Sequence, residues 1–120
     1  MNVEEFREYC LLKNGVTEGF PFDESTLVFK VMGKMFALTS LDTSFRFTVK
    51  AEPERGQQLK DTHSTIEPAW HMNKTHWIMV TVDKSMDDYL LKEIIDQSYD
   101  IVSASLTKKQ KEELNSIKSK

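Results

Sequence analysis

Residues 27–50 read LVFKVMGKMFALTSLDTSFRFTVK, in which LVFKVM, MFALTSL and FRFTVK are short runs rich in branched and aromatic residues. Gly33-Lys34 and Asp42-Thr43-Ser44 part them. Such runs with turn residues between them predict three strands joined as an antiparallel meander, in which strand order follows the sequence. Gly33 suits the first position of a tight two-residue turn that needs positive φ, and the side chains of Asp42 and Ser44 can bond the backbone of the second turn. Alternation puts Leu27, Phe29 and Val31 on one face of the first strand and Lys30 on the other. In the third strand it sets Phe45, Phe47 and Val49 opposite Arg46, Thr48 and Lys50. One face is expected to be core and the other wet.

Upstream, residues 2–13 have Val3, Phe6, Cys10 and Tyr9 at helical spacing with Glu4, Glu5, Arg7 and Glu8 outside them, which predicts an amphipathic helix stopped by Asn14 and Gly15. The segment from there to Ser25 reads as loop. Downstream, Glu52 to Asp61 reads as a short helix, since Pro53 is tolerated in a first turn and acids are favoured there by the helix dipole. His63 to Thr65 is its expected exit, and Trp77 to Val82 a further strand. Ser85 is a candidate cap for a helix starting at Met86, reinforced by Asp87 and Asp88. Leu90, Leu91, Ile94, Ile95, Ile101, Val102 and Leu106 give that region the clearest helical period in the chain. Ser98 leaves open whether 86–106 is one helix or two. Thr107 and Gln110 fit a capping box opening a last helix to about Ser119, anchored by Leu114 and Ile117. The fold class expected is α+β: an antiparallel sheet, the three-stranded meander plus at least one further strand, covered by N- and C-terminal helices.

The 120 residues suit a single domain over 1–120, and 39% hydrophobic against 29% charged residues is a globular balance. A formal charge of -3 means that the average field does not attract polyanions, so a nucleic-acid site has to be a local patch. The start MNVEEFREYC is acidic where an export signal is basic, and no apolar stretch reaches the ~20 residues needed to span a bilayer. The lone Cys10 cannot form an internal disulfide and reads as a small buried hydrophobe. These features predict a cytoplasmic location and no membrane partner. The glycines are scattered and form no phosphate-cradling loop, and no nucleophile can be set beside an oriented base from spacing. No catalytic residue, metal-ligand set or cofactor is expected, and Asp87-Asp88 is explained by its helix start.

Two further stretches are specific. Pro68-Ala69-Trp70-His71-Met72-Asn73-Lys74 runs into His76-Trp77-Ile78, and Ser98-Tyr99-Asp100-Ile101-Val102 lies on the following helix, with Phe36-Ala37-Leu38 as a weaker element. With the element order, they resemble the MmcQ/YjbR family of small bacterial proteins over most of the chain. The resemblance implies a fold similar to the frataxin-like CyaY type, with two strand-turn wings for which DNA binding has been proposed. Iron binding, known in the frataxin-like fold, is not implied here, because VEEFREYC mixes Arg7 into the acidic ridge that carries it there.

Lys30, Lys34, Arg46 and Lys50, on the non-core face or tip of the meander, and Lys74 in the turn are the candidate phosphate contacts. Their alternative reading is a solvated strand face that discourages edge pairing. Trp70, His71, His76 and Trp77 are either a stacking surface or the structural brace of their turn. The basic tail Lys108, Lys109, Lys111, Lys118 and Lys120 is a weaker patch, interrupted by Glu112 and Glu113. Two functions follow: weak, nonspecific, non-enzymatic DNA binding through the basic residues, or a protein-interaction or chaperone-like module using the sheet and the Trp70–Trp77 turn.

Overall fold

A computed structural model of the chain describes residues 1–117. The last helix, expected to run to about Ser119, ends at Ser116 with Ile117 as its extended cap, and tail residues Lys118 and Lys120 lie outside the described residues. The elements in chain order are α1 (Val3–Leu12), β1 (Val16–Gly19), β2 (Thr26–Val31), β3 (Lys34–Ser40), β4 (Arg46–Lys50), α2 (Pro53–Thr62), β5 (Ile66–Pro68), β6 (Trp77–Thr81), α3 (Asp88–Ala104) and α4 (Lys108–Ser116). The six strands form one antiparallel sheet in the order β1-β2-β3-β4-β6-β5.

The meander forms as its alternation predicts, but its first turn is shifted. Val31 pairs with Lys34, so Met32 and Gly33 are the two turn residues, with φ of 49° and 85°. Gly33 therefore occupies the second position, and Met32 carries the less comfortable left-handed backbone at the first. In the second turn the bonds come from neighbours of the expected residues: the Asp42 amide donates to the Ser40 hydroxyl, and the Thr43 hydroxyl donates to the Ser44 carbonyl.

Two strands are additions to the sequence reading. β1 lies in the stretch expected to be loop and pairs with β2 from Val16↔Val31 to Gly19↔Val28. β5 spans only three residues and ends at Pro68. Proline is tolerated there because β5 is an edge strand.

One face of the sheet is sealed by helices. Leu27, Thr39, Phe47, Val80 and Ile66 make one buried row across it, and Phe29, Ala37, Val49 and Ile78 the next. A bulge between Phe29 and Lys30 adds Phe36 to this face, where its ring meets Tyr99 edge-on at 5.5 Å. Phe6 of α1 stacks on Phe47 at 4.9 Å and meets Phe29 and Phe45 edge-on, each at 5.5 Å. Asn2 closes a capping box with Glu5 at the start of α1. Beyond its end, Gly15 has φ of 72°, a left-handed backbone that favours glycine, and a Cβ there would lie 2.5 Å from Leu114 Cδ1, which would have to shift.

Residues 88–104 form one uninterrupted helix, α3, lying across β3 and β4. Ser98 does not bend it. Its buried hydroxyl points into the sheet, donating to the Phe36 carbonyl at 2.5 Å and accepting from the Lys50 amide at 2.8 Å. The helix starts later than Ser85-Met86: Asp87 is the cap, accepting from the Leu90 amide, while the Ser85 hydroxyl donates to Asp83. A carboxylate serves better there because it also meets the helix dipole. α4 opens on the expected Thr107–Gln110 capping box, with Leu114 buried and Ile117 exposed. Among the described residues no helix is long and apolar enough to cross a membrane.

Candidate functional site

Among the described residues no helix lies over the sheet's second face. Strand register sets Val28, Leu38, Thr48, Met79 and Glu67 in one row across β2, β3, β4, β6 and β5. Thr26, Ser40 and Arg46 follow on one side of that row, and Lys30, Met35, Lys50 and Trp77 on the other. The expectation of a uniformly wet face is not met, because Val28 is 1% and Thr48 7% exposed. Strands buried on both faces read as continuous apolar runs instead of alternating ones, as LVF does here. An open cavity of about 570 Å³ lies on this face, with Met35, Leu38, Arg46 and Met79 in its floor and Phe22 and Trp70 among its walls.

Both walls are built by local hydrogen bonding. In the loop before β2, the Asp23 carboxylate accepts from the Ser25 and Thr26 amides at 2.9 and 2.7 Å and from both hydroxyls. Those bonds, the Ser25 amide first, favour the ionised form and hold the Asp23 carboxyl below the usual range. In the turn between β5 and β6, Asn73 is the pivot: its carbonyl accepts from the His76 and Trp77 amides, and its side chain from the Thr75 amide. Met72 closes back on the Ala69 carbonyl at 3.1 Å. This leaves large apolar groups facing solvent at the rim, with Trp70 59% and Phe22 66% exposed.

The candidate residues separate. Lys30, Arg46 and Lys50 share the open face, whereas Lys34 projects to the opposite side and donates to the Ser105 carbonyl at 3.1 Å. That contact is a cation on carbonyls at the end of α3, where the helix dipole favours it. Lys74 sits over the Trp70 ring at 4.5 Å, and Lys50 lies 5.8 Å from the Trp77 ring centre. None of the five cations is within ion-pair distance of a carboxylate among the described residues. Trp77 is half-buried, whereas Trp70 is exposed. His71 lines the cavity, while His76 is exposed and contributes by its backbone, whose carbonyl accepts from the Ala51 amide. Neither imidazole makes a hydrogen bond among the described residues, so neither braces the turn by its side chain.

The sequence reading missed the cavity floor. Met35, Leu38 and Met79 were not candidates, although Met35 and Leu38 lie in a run apolar on both faces, which is the available signal. The Ser98-Tyr99 motif belongs to the helix side: the Tyr99 hydroxyl donates to the Asn14 carbonyl at 2.5 Å. Next to it Tyr9 and Lys13 both bond Asp96, and burial first, then Asp96, pushes the Tyr9 hydroxyl pKa up. Burial also pushes the Cys10 thiol up to about 12, which makes it unreactive. Among the described residues no three His, Cys, Asp or Glu side chains converge as a metal site would require.

The family model YjbR matches residues 11–101, the span from the end of α1 to late α3. The chain belongs to the YjbR family. Within the YjbR family it is 30% identical over 100 residues to the uncharacterized protein YjbR of Escherichia coli K12, covering 82% of this chain and 85% of that one. It is 33% identical over 91 residues to the uncharacterized protein YbdF of Escherichia coli O157:H7, covering 75% of each. A crystal structure of Deinococcus radiodurans protein DR2400, with a DUF419 domain, superposes with a TM-score of 0.89 at 38% identity, over 95% of this chain and 88% of that one. A Pseudomonas syringae protein superposes at 0.72 and 25% identity, over 84% and 98%. The YjbR match takes in the whole open face, from Phe22 to Met79.

Proposed function

We propose that this YjbR-family chain is a non-enzymatic protein-interaction module that receives a segment of a partner on the helix-free face of its sheet. The observation that carries the reading is the cavity walled by Trp70 and Phe22, both more than half exposed, over a floor of Met35, Leu38 and Met79. Exposed tryptophan over adaptable thioethers is the composition of interaction hot spots, and contiguous exposed apolar groups favour a docking role over a solvated surface. Phosphate neutralisation draws less support, since Lys34 is engaged with α3 and the net charge is -3. DNA binding keeps one observation in its favour, that Lys30, Arg46 and Lys50 share this face.

Selection of a random-peptide phage library on the immobilised chain tests the reading. Enriched peptides are expected to lose binding to the Trp70→Ala chain. A library with no enriched binder, or binders indifferent to both Trp70→Ala and Met72→Ala, removes it. Titration with duplex DNA at two ionic strengths separates the alternative: tight binding at low salt that collapses as salt rises would favour nucleic acid.

A further inference from the structure

Resting on that reading, we propose that the partner segment is an acidic peptide bearing large apolar side chains, with one carboxylate seated on Arg46. The apolar side chains fill the hollow between Trp70, Met35, Leu38 and Met79.

Charge selects the anion. The cavity lining carries one guanidinium, Arg46, one carboxylate, Asp23, and the His71 imidazole. Asp23 is engaged: both its oxygens accept bonds from Ser25 and Thr26 within its own loop. Arg46 is not. Its guanidinium has no carboxylate within ion-pair distance and no hydrogen-bond acceptor among the described residues, although the residue is part-buried beside apolar groups. A part-desolvated guanidinium is a planar fork of donors matched to a carboxylate, and its bonds strengthen as water leaves. Its backbone carbonyl accepts from the Thr39 hydroxyl at 2.7 Å.

Length selects a chain over a small molecule. Lys50 lies four positions along β4 from Arg46 on the same face, roughly 13 Å away at strand rise, and Lys30 lies two strands from Lys50, about 10 Å. A small anion reaches Arg46 alone, whereas an extended peptide with spaced carboxylates reaches all three. Glu67, on β5 in the row of Met79, and the ionised Asp23 in the loop wall are opposing charges on this face and disfavour acids toward the β5 edge and toward that loop. The apolar part argues against a nucleic-acid strand. Three of the six methionines, Met35, Met72 and Met79, line the hollow with Leu38, and thioethers accommodate aliphatic and aromatic side chains by repacking.

Fluorescence anisotropy on the full chain, with a labelled peptide alternating Glu with Leu and Phe and its Gln-for-Glu counterpart, tests this at ionic strengths of about 0.05 and 0.15 M. The acidic peptide is expected to bind at least tenfold tighter than the Gln peptide. Arg46→Gln should narrow the difference between the two severalfold, leaving the remainder to Lys30 and Lys50, and leave the Gln peptide's own affinity unchanged, while Trp70→Ala weakens both. Equal affinity of the two peptides for the unaltered chain overturns the acidic assignment and leaves the docking face standing. Failure of both to bind removes the docking face as well. Acidic binding indifferent to Arg46→Gln, or displaced by duplex DNA at equal concentration, also overturns the proposal. Amide and indole shifts of the unaltered chain give a measure independent of any variant's folding: perturbation is expected at Arg46, Leu38, Met79 and Trp70. Shifts confined to α3 and α4 contradict the assignment.

Discussion

The two faces of the sheet are made by the same strands and have opposite fates. On the helix side Phe6, Phe29 and Phe47 are at most 1% exposed and interlock ring against ring, and the buried polar groups are paired. On the open side Val28 and Thr48 are buried to a similar degree, but the cover is a loop and a turn whose Phe22 and Trp70 face solvent. Covering a sheet with helices removes apolar area from water on both partners. Covering it with a six-residue loop and a turn hides the strands and leaves the loops' own apolar groups wet. The first arrangement is a core; the second is a surface prepared for another molecule.

The largest expected effect breaks the comparison on the helix side. Phe47→Ala removes a fully buried ring stacked on Phe6 and is expected to cost about 3–5 kcal/mol, measured by urea unfolding. Trp70→Ala, also an aromatic truncation on the same sheet, should stay within about 0.5 kcal/mol of the unaltered chain. Comparable losses would mean that both faces are core and that Trp70 is not a docking residue.

A middle-sized effect sharpens the join between α3 and the sheet. Ser98→Ala leaves the Lys50 amide and the Phe36 carbonyl without their buried partner and is expected to cost about 1–3 kcal/mol. Hydrogen exchange at Lys50 should speed up with it. An unchanged midpoint together with unchanged exchange would show that the hydroxyl is not needed.

The smallest effect concerns the open side and pH. Asp23 has its pKa lowered in the folded chain, so its contribution is present above the ordinary carboxyl value of 3.8 and is lost as pH falls through the lowered one. Acidification across that window should loosen the loop that carries Phe22, seen as faster exchange at the Ser25 and Thr26 amides. In Asp23→Asn this pH dependence should vanish. Persistence of the dependence in that variant would assign it to another group.

The strands most legible in the chain were those whose residues alternate in polarity with a turn residue beside them. β4 is such a case, since FRFTVK alternates even though Thr48 is buried together with Phe47 and Val49. β1 and β5 were not legible. VTEG and IEP are three or four residues with no alternation of their own, and they become strands because β2 and β6 offer unpaired edges. The candidate site divided for a similar reason. Lys34 stands in sequence beside the other meander cations, but the turn at Met32-Gly33 pairs it with core-facing Val31 and turns its side chain toward α3. Trp70 and Trp77 were indistinguishable in sequence, and only the turn geometry around Asn73 exposes one and half-buries the other.

By itself the order of residues determined the layered α+β arrangement, the meander, the helical character around Ile94 and the capping box at Thr107, because hydrophobic period and backbone capping are local in sequence. Which cations share a face, that a helix-free side holds an apolar hollow, and that Ser98 ties α3 to the sheet were decided by the tertiary structure. Those depend on strand register and on which segments come to lie over the sheet, and both arise from contacts between residues far apart in the chain.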